Sequence, residues 1–221
     1  MKGALFMQIK FHEESRLFQL DSKNSTYAFQ INEGGYLVHL YYGKKLSSLQ
    51  GLEKNAFRGV YDSLSPQNPY VDDPYFSLDI APLEFPCNGA GDFRISALSV
   101  RGEKGDTVTD MHYVSHRILS GKPGLSGLPA AFGEEGKAQT LEIELTDKVT
   151  GVRAFLLYTV FADFDVITRS ARLENKGQAP VDLERAYSAC LELPGMGFDC
   201  IHLHGRWAKE NTVVRHPLQH G

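Results

Sequence analysis

The second half of the chain constrains the fold most. The stretch "QTLEIEL", residues 139–145, places Leu141, Ile143 and Leu145 on one face and Glu142 and Glu144 on the other. A period of two marks a strand half-buried in an antiparallel sheet. A turn at residues 147–151 leads into "VRAFLLYTVF", whose near-continuous apolar content predicts burial on both faces. "DVITRSARLEN" follows, with Ile167, Ala171 and Leu173 opposite Val166, Thr168, Ser170 and Arg172. "NKGQAP" then breaks the ladder with Gly177 and Pro180, and "VDLERAYSACLEL" adds a further strand. In the first half, "TYAFQI" and "YLVHLYY" flank Glu33-Gly34-Gly35, which reads as a hairpin. The expectation is an all-β chain, an antiparallel two-sheet sandwich of long strands in a meander.

Two regions depart from this pattern. Residues 49–74, centred on "SPQNPYVDDP", predict a long ordered loop of the kind that often carries function. Residues 119–139, rich in Gly and Pro, predict a surface connection. With 221 residues and 42% hydrophobic composition, one domain with a sizeable core is expected. A net charge of -4 with scattered basic residues gives no reason to expect nucleic acid or anionic lipid as a partner. Cys87, Cys190 and Cys200 are an odd number, which argues for reduced thiols and a cytoplasmic home; a Cys190–Cys200 pair across adjacent strands is the alternative. The N-terminus has too short an apolar run for a signal peptide, and Met7 is an alternative start. No apolar run approaches the ~20 residues that span a bilayer.

The glycines of "EFPCNGAGDFR" look at first like a phosphate cradle. Such a cradle needs a helix N-terminus after it, and "DFRISALSV" is a β-like run instead. A P-loop would also end in Gly-Lys-Ser/Thr, which is missing here. The stretch is expected to be a turn.

The same region resembles bacterial glycoside hydrolase family 36 α-galactosidases. Ser77-Leu78-Asp79, Glu84-Phe85-Pro86 and Asp92-Phe93-Arg94 match that family's pattern. "GYLVHLYYGKKL", "VTDMHYVSHRILSGKPGLSGLPA", "DVITRSARLENKG", "IHLHGRWAKE" and "RHPLQHG" look like family segments in the same order. The resemblance implies an N-terminal β-supersandwich domain over residues 1–221, incomplete at its C-terminal end, without the catalytic (β/α)8 barrel. The family's Lys-Trp-Asp nucleophile motif and its Ser-Cys-Ser-Gly-Gly-Gly stretch do not occur here, where the one tryptophan is Trp207. A retaining hydrolase needs two carboxyls roughly 5–5.5 Å apart. No catalytic residue, cofactor or metal is therefore assigned, and the isolated chain is expected not to hydrolyse α-galactosides. The implied parent acts on melibiose- or raffinose-type sugars and forms homo-oligomers, often tetramers.

Two residues are candidates for substrate binding. Asp62 precedes Ser65-Pro66 and Asn68-Pro69 in a loop that, by resemblance, reaches the galactose pocket. A carboxylate there can accept two sugar hydroxyls, or it can cap its own turn. Asp72-Asp73-Pro74-Tyr75 stands where some members carry an arginine. Trp207, in "GRWAKE" with Arg206 and Lys209, can stack on a sugar or anchor an interface with the missing barrel. His202 and His204 share a strand face, and His112/His116 and His216/His220 are spaced four apart, so a zinc site is an alternative to hydrogen-bonded or exposed histidines. Arg169 shares a face with Ile167 and Ala171, opposite Arg172, and is expected to be buried and paired. Three functions follow: an accessory domain of an α-galactosidase, a non-catalytic carbohydrate-binding module, and a metal-dependent β-barrel enzyme.

Overall fold

The computed structural model describes residues 8–56, 68–73, 76–89, 91–192 and 197–218. Twelve strands and one 3-10 turn, Leu52–Ala56, lie among them. Strands β1 (Ile9–His12), β2 (Leu17–Asp21), β3 (Ser25–Ile31) and β4 (Leu37–Lys44) form one antiparallel sheet. Strands β6 (Met111–Ser120), β7 (Ala138–Asp147), β8 (Val152–Phe161) and β9 (Ile167–Asn175) form a second. Strand β5 (Leu98–Gly102) pairs with β10 (Val181–Ala186), and β11 (Asp199–His204) pairs with β12 (Thr212–Pro217). The expected β3–β4 hairpin is present, with a bulge at Leu40 that re-aims the strand.

The two four-stranded sheets face each other. Period-two alternation sends Phe18, Leu20, Tyr27 and Phe29 inward from the first sheet. Leu141, Ile143, Leu156 and Tyr158 meet them from the second. The Phe29 and Tyr158 rings stack at 5.1 Å across the gap, and Phe18 lies 5.1 Å from Phe29. Each buried Leu or Ile contributes roughly 1.5–3 kcal/mol over exposure. Strand β8 is buried on both faces only from Leu156 onward, because Arg153 and Phe155 lie on its half-exposed outer face. There Arg172 covers the Phe155 ring at 3.8 Å.

The outer face of the first sheet is also apolar in part. Leu17, Ala28 and Leu40 are covered by Leu49, Leu52 and Ala56. Val38 is covered by Val71, Phe76, Leu78, Ala81 and Leu83. The described parts of residues 49–83 are thus a packed cover rather than a free loop. Its last strand-like turn runs along the β4 edge, where His39 N–H donates to Pro82 O and Glu84 N–H donates to Leu37 O. Pairing that edge protects it from other chains.

Three expectations need correction. The meander does not continue after β9: β10 leaves the second sheet and pairs with β5. The loop before it folds back on the β7–β8 turn, where Lys176 N–H donates to Gly151 O, and Pro180 cannot extend a ladder. Gly151 permits this approach, since its φ is +75° and a Cβ there would sit 2.7 Å from Gly177. The β10 strand ends at Ala186, short of the run read from the sequence. The connection between β6 and β7 is shorter than residues 119–139, since β6 extends to Ser120 and β7 begins at Ala138.

Candidate functional site

The most concentrated chemistry in the described residues lies inside the sandwich. Glu84 is 1% exposed, in a segment bracketed by Pro82 and Pro86. Its neighbours Leu83 and Phe85 are buried too, so the carboxylate is carried in with them. Tyr27 of β3 donates to Oε1 at 2.6 Å and Tyr158 of β8 donates to Oε2 at 2.8 Å. His39 of β4 contributes Nδ1 at 2.8 Å. Arg169 of β9 lies 3.2 Å from Oε2 and covers the Tyr158 ring at 4.6 Å. The same guanidinium donates to the carbonyls of Glu84 and Cys190. One carboxylate thereby joins both sheets, and Arg169 is the buried, paired arginine expected from its strand face.

The electrostatics follow from this geometry. Burial raises the Glu84 carboxyl, but the opposing charge of Arg169 and the bonds from His39 and Tyr27 outweigh it, leaving the net direction downward. Burial and the nearby carboxylate push the Tyr27 and Tyr158 hydroxyls far up, so both stay donors. With a carboxylate at Nδ1, His39 carries its proton there, and its buried Nε2 has no hydrogen-bond partner among the described residues. A carboxylate bonded by two tyrosines and a histidine, paired with an arginine and out of reach of solvent, has no room for a sugar. The cluster is a clasp across the sandwich and not a catalytic pair.

The sequence candidates lie elsewhere. Asp62 is outside the described residues. From residue 68 the chain is firmly seated: Asn68 is 4% exposed, and its Nδ2 donates to Tyr36 OH at 3.2 Å. Asp72 N–H donates to Glu33 at 2.8 Å. Trp207 is 92% exposed on the turn joining β11 and β12. Both strands of that ribbon are mostly exposed, with Ile201, Leu203 and Val213 sharing one face. Its other face carries Cys200, His202, His204 and His216, the His202 and His216 rings 5.4 Å apart.

The histidines do not converge. Among the described residues, no group of three His, Cys, Asp or Glu side chains is placed to hold a metal ion. His112 bonds to Gly34 O and Asp110, whereas His116 packs on Phe11 and Phe18 and contacts Tyr113 OH. His220 is outside the described residues. The three cysteines are free thiols. The glycine stretch is a turn: Gly89 and Gly91 have φ of +107° and +93°, and β5 follows it without a helix. A Cβ at Gly89 would meet the Val108 backbone at 3.0 Å.

Sequence reasoning missed Glu84, His39 and Tyr158 as partners. A glutamate between Leu83 and Phe85 in a β-like segment was the available sign of burial. Its partners come from four distant strands and leave no local pattern.

Comparison with known proteins completes the picture. A family model described as the glycosyl hydrolase family 36 N-terminal domain matches residues 35–221. Alpha-galactosidase AgaA of Geobacillus stearothermophilus is 42% identical over 97% of this chain and 29% of its own length. The bifunctional alpha-galactosidase/sucrose kinase AgaSK of Mediterraneibacter gnavus is 40% identical over 97% of this chain and 23% of its own. The crystal structure of alpha-galactosidase AgaB from Geobacillus stearothermophilus superposes with a TM-score of 0.88 at 40% identity, covering 96% of this chain and 29% of that one. A variant of AgaA in complex with raffinose gives 0.85 at 43% identity, covering 92% and 28%. The chain spans less than a third of the length of these relatives. With the sandwich, its sheet order and these likenesses together, the chain belongs to the glycoside hydrolase family 36 N-terminal domain family.

Proposed function

We propose that this chain is the accessory N-terminal domain of a cytoplasmic, retaining α-galactosidase that removes terminal galactose from melibiose- or raffinose-type sugars. The domain supports the catalytic barrel, contributes Asp62 to the pocket rim and takes part in the contacts of a homo-oligomer, a tetramer in the parent. The observation that carries this reading is the match of 97% of the chain to 29% of an α-galactosidase at 42% identity. Exposed apolar residues in the last third, among them Leu183, Tyr187, Ile201, Leu203, Trp207 and Val213, support docking there. Trp207 on its exposed turn serves that interface better than a sugar pocket, because its ring is open to solvent among the described residues. A chimera in which this chain replaces the matching part of AgaA is the test. Raffinose cleavage by the chimera is expected, with none by this chain alone; a cooperatively folded but inert chimera would sink the proposal.

A second reading, a carbohydrate-binding module, is favoured by one feature. A cleft of about 590 Å³ on the outer face of the first sheet is lined by Lys10, His12, Gln19, Asp21, Gln30 and Glu53. These groups suit hydroxyl-rich ligands, although no Phe, Tyr or Trp among the described residues lines the cleft for stacking. Calorimetric titration with galactose or raffinose separates the readings. Saturable binding lost on Asp62→Ala or Trp207→Ala favours a module using those residues, and binding lost on Gln30→Ala places it in the cleft.

A further inference from the structure

The geometry points to Asp110 as the group that holds His112 as an imidazolium, and to this cation, with Tyr36, as a clamp that seats residues 68–73 against the β3–β4 turn. The argument begins with what each ring nitrogen faces. His112 Nδ1 lies 2.8 Å from the carbonyl oxygen of Gly34, which can only accept. Nε2 lies 2.9 Å from Oδ2 of Asp110, an acceptor when ionised. Both nitrogens must therefore donate, and an imidazole with two N–H groups is cationic.

The pair is wired to the limb. Tyr36 OH donates to Asp110 Oδ1 at 3.0 Å and accepts from Asn68 Nδ2 at 3.2 Å. The Tyr70 ring meets the His112 ring edge-on at 4.7 Å, and the Tyr36 ring, just before β4, lies 4.8 Å from it. Asn68 Oδ1 accepts from Tyr70 N–H, which ties the two contacts together. A continuous path runs from Asn68 through Tyr36, Asp110 and His112 to Gly34 O, and such chains polarise one another. Val71 packs beside Gly34 at its far end. Among the described residues, the titratable and charged groups that face His112 are Asp110, Tyr36 and Tyr70, with Lys148 acting against its charge from the β7–β8 turn.

Loss of the proton would leave acceptor facing acceptor at Asp110 or at Gly34. The clamp is thus sensitive to pH above the ordinary histidine value. The bond to Asp110 raises the His112 pKa, burial lowers it, and the Gly34 bond raises it again, for a net upward direction from 6.5. A raised folded value makes the clamp complete below 6.5, its ordinary value, and lost as pH climbs through the folded one. Burial keeps the Tyr36 hydroxyl protonated throughout, with its pKa pushed well up.

Nuclear magnetic resonance of the whole chain tests this. His112 is assigned by the signal that vanishes in His112→Gln. Long-range nitrogen–proton correlations should show both ring nitrogens protonated at about pH 6, below the ordinary histidine value, and the Val71 methyls and Tyr70 ring should shift with the His112 midpoint. Asp110→Asn should lower that midpoint by about one unit or more, and the shifts of residues 68–73 should follow it down. Tyr36→Phe, which removes only a hydroxyl, gives an independent route: His112 keeps its midpoint while the Val71 response shrinks. A neutral single tautomer at about pH 6, below the ordinary histidine value, would overturn the proposal. So would Val71 and Tyr70 signals that stay flat through the His112 transition, or a Val71 response at full amplitude in Tyr36→Phe.

Discussion

Replacing Glu84 by glutamine is the most direct test of the clasp between the sheets. The substitution keeps shape and removes charge. Arg169, whose side chain is 9% exposed, then keeps only neutral acceptors: the carbonyls of Glu84 and Cys190 and the Tyr158 hydroxyl. The amide nitrogen also faces groups that now donate, so Tyr27 or Tyr158 must rotate its hydroxyl to accept. Breaking a buried pair by removing one partner costs about 3–5 kcal/mol. Against a total of roughly 5–15 kcal/mol for a domain, that is a large share. Each kcal/mol moves the midpoint of a chain this size by about 2–4 °C, so Tm should fall by roughly 6–20 °C. Circular dichroism melts and urea titrations read the loss. Glu174→Gln, on the exposed ladder with Arg172 and Lys176, is the control and should cost at most about 1 kcal/mol. The direction of the Glu84 shift fixes the pH dependence. With its folded pKa lowered, the carboxylate's contribution is present above 4.5 and is lost as pH falls through the folded value. Glu84→Gln should therefore flatten the acid limb of the stability curve. A loss under about 1 kcal/mol, the scale of an ordinary exposed pair, would show that the cluster is not the clasp described.

Two further predictions concern packing and thiols. Gly34→Ala should destabilise by about 1–3 kcal/mol, as overpacking does, because the new methyl would sit 2.8 Å from Val71 Cγ2; an unchanged urea midpoint would refute the tight seat of residues 68–73. Cys200 should react first with a thiol reagent in the native chain, since it is exposed, whereas burial pushes the Cys87 thiol up and raises Cys190 to about 11. Equal labelling rates at all three would contradict that placement.

The strand periods were legible because they are local. Leu141, Ile143 and Leu145 alternate with two glutamates whatever lies around them, and the structure buries those three. Arg169 was legible for the same reason: its parity with Ile167 and Ala171 pointed it inward. The path of the chain after β9 was not, because leaving a sheet depends on what the loop packs against, here the Gly151 turn. The roles of Tyr27, His39 and Tyr158 were hidden too, since each reads as an ordinary strand residue until Glu84 arrives beside it. The region of residues 49–74 was expected as a long ordered loop; which face it covers was not legible, and Leu49, Leu52, Ala56 and Val71 pack on the outer face of the first sheet.

Sequence alone determined the class of fold, since side-chain alternation and turn residues act over a few neighbours. It also carried the family likeness, because the order of short segments survives along the chain. Tertiary structure alone decided which acids are free and which are consumed. A carboxylate's chemistry depends on solvent access and on donors from remote strands, and only folding brings Glu84 to Arg169 and Asp110 to His112.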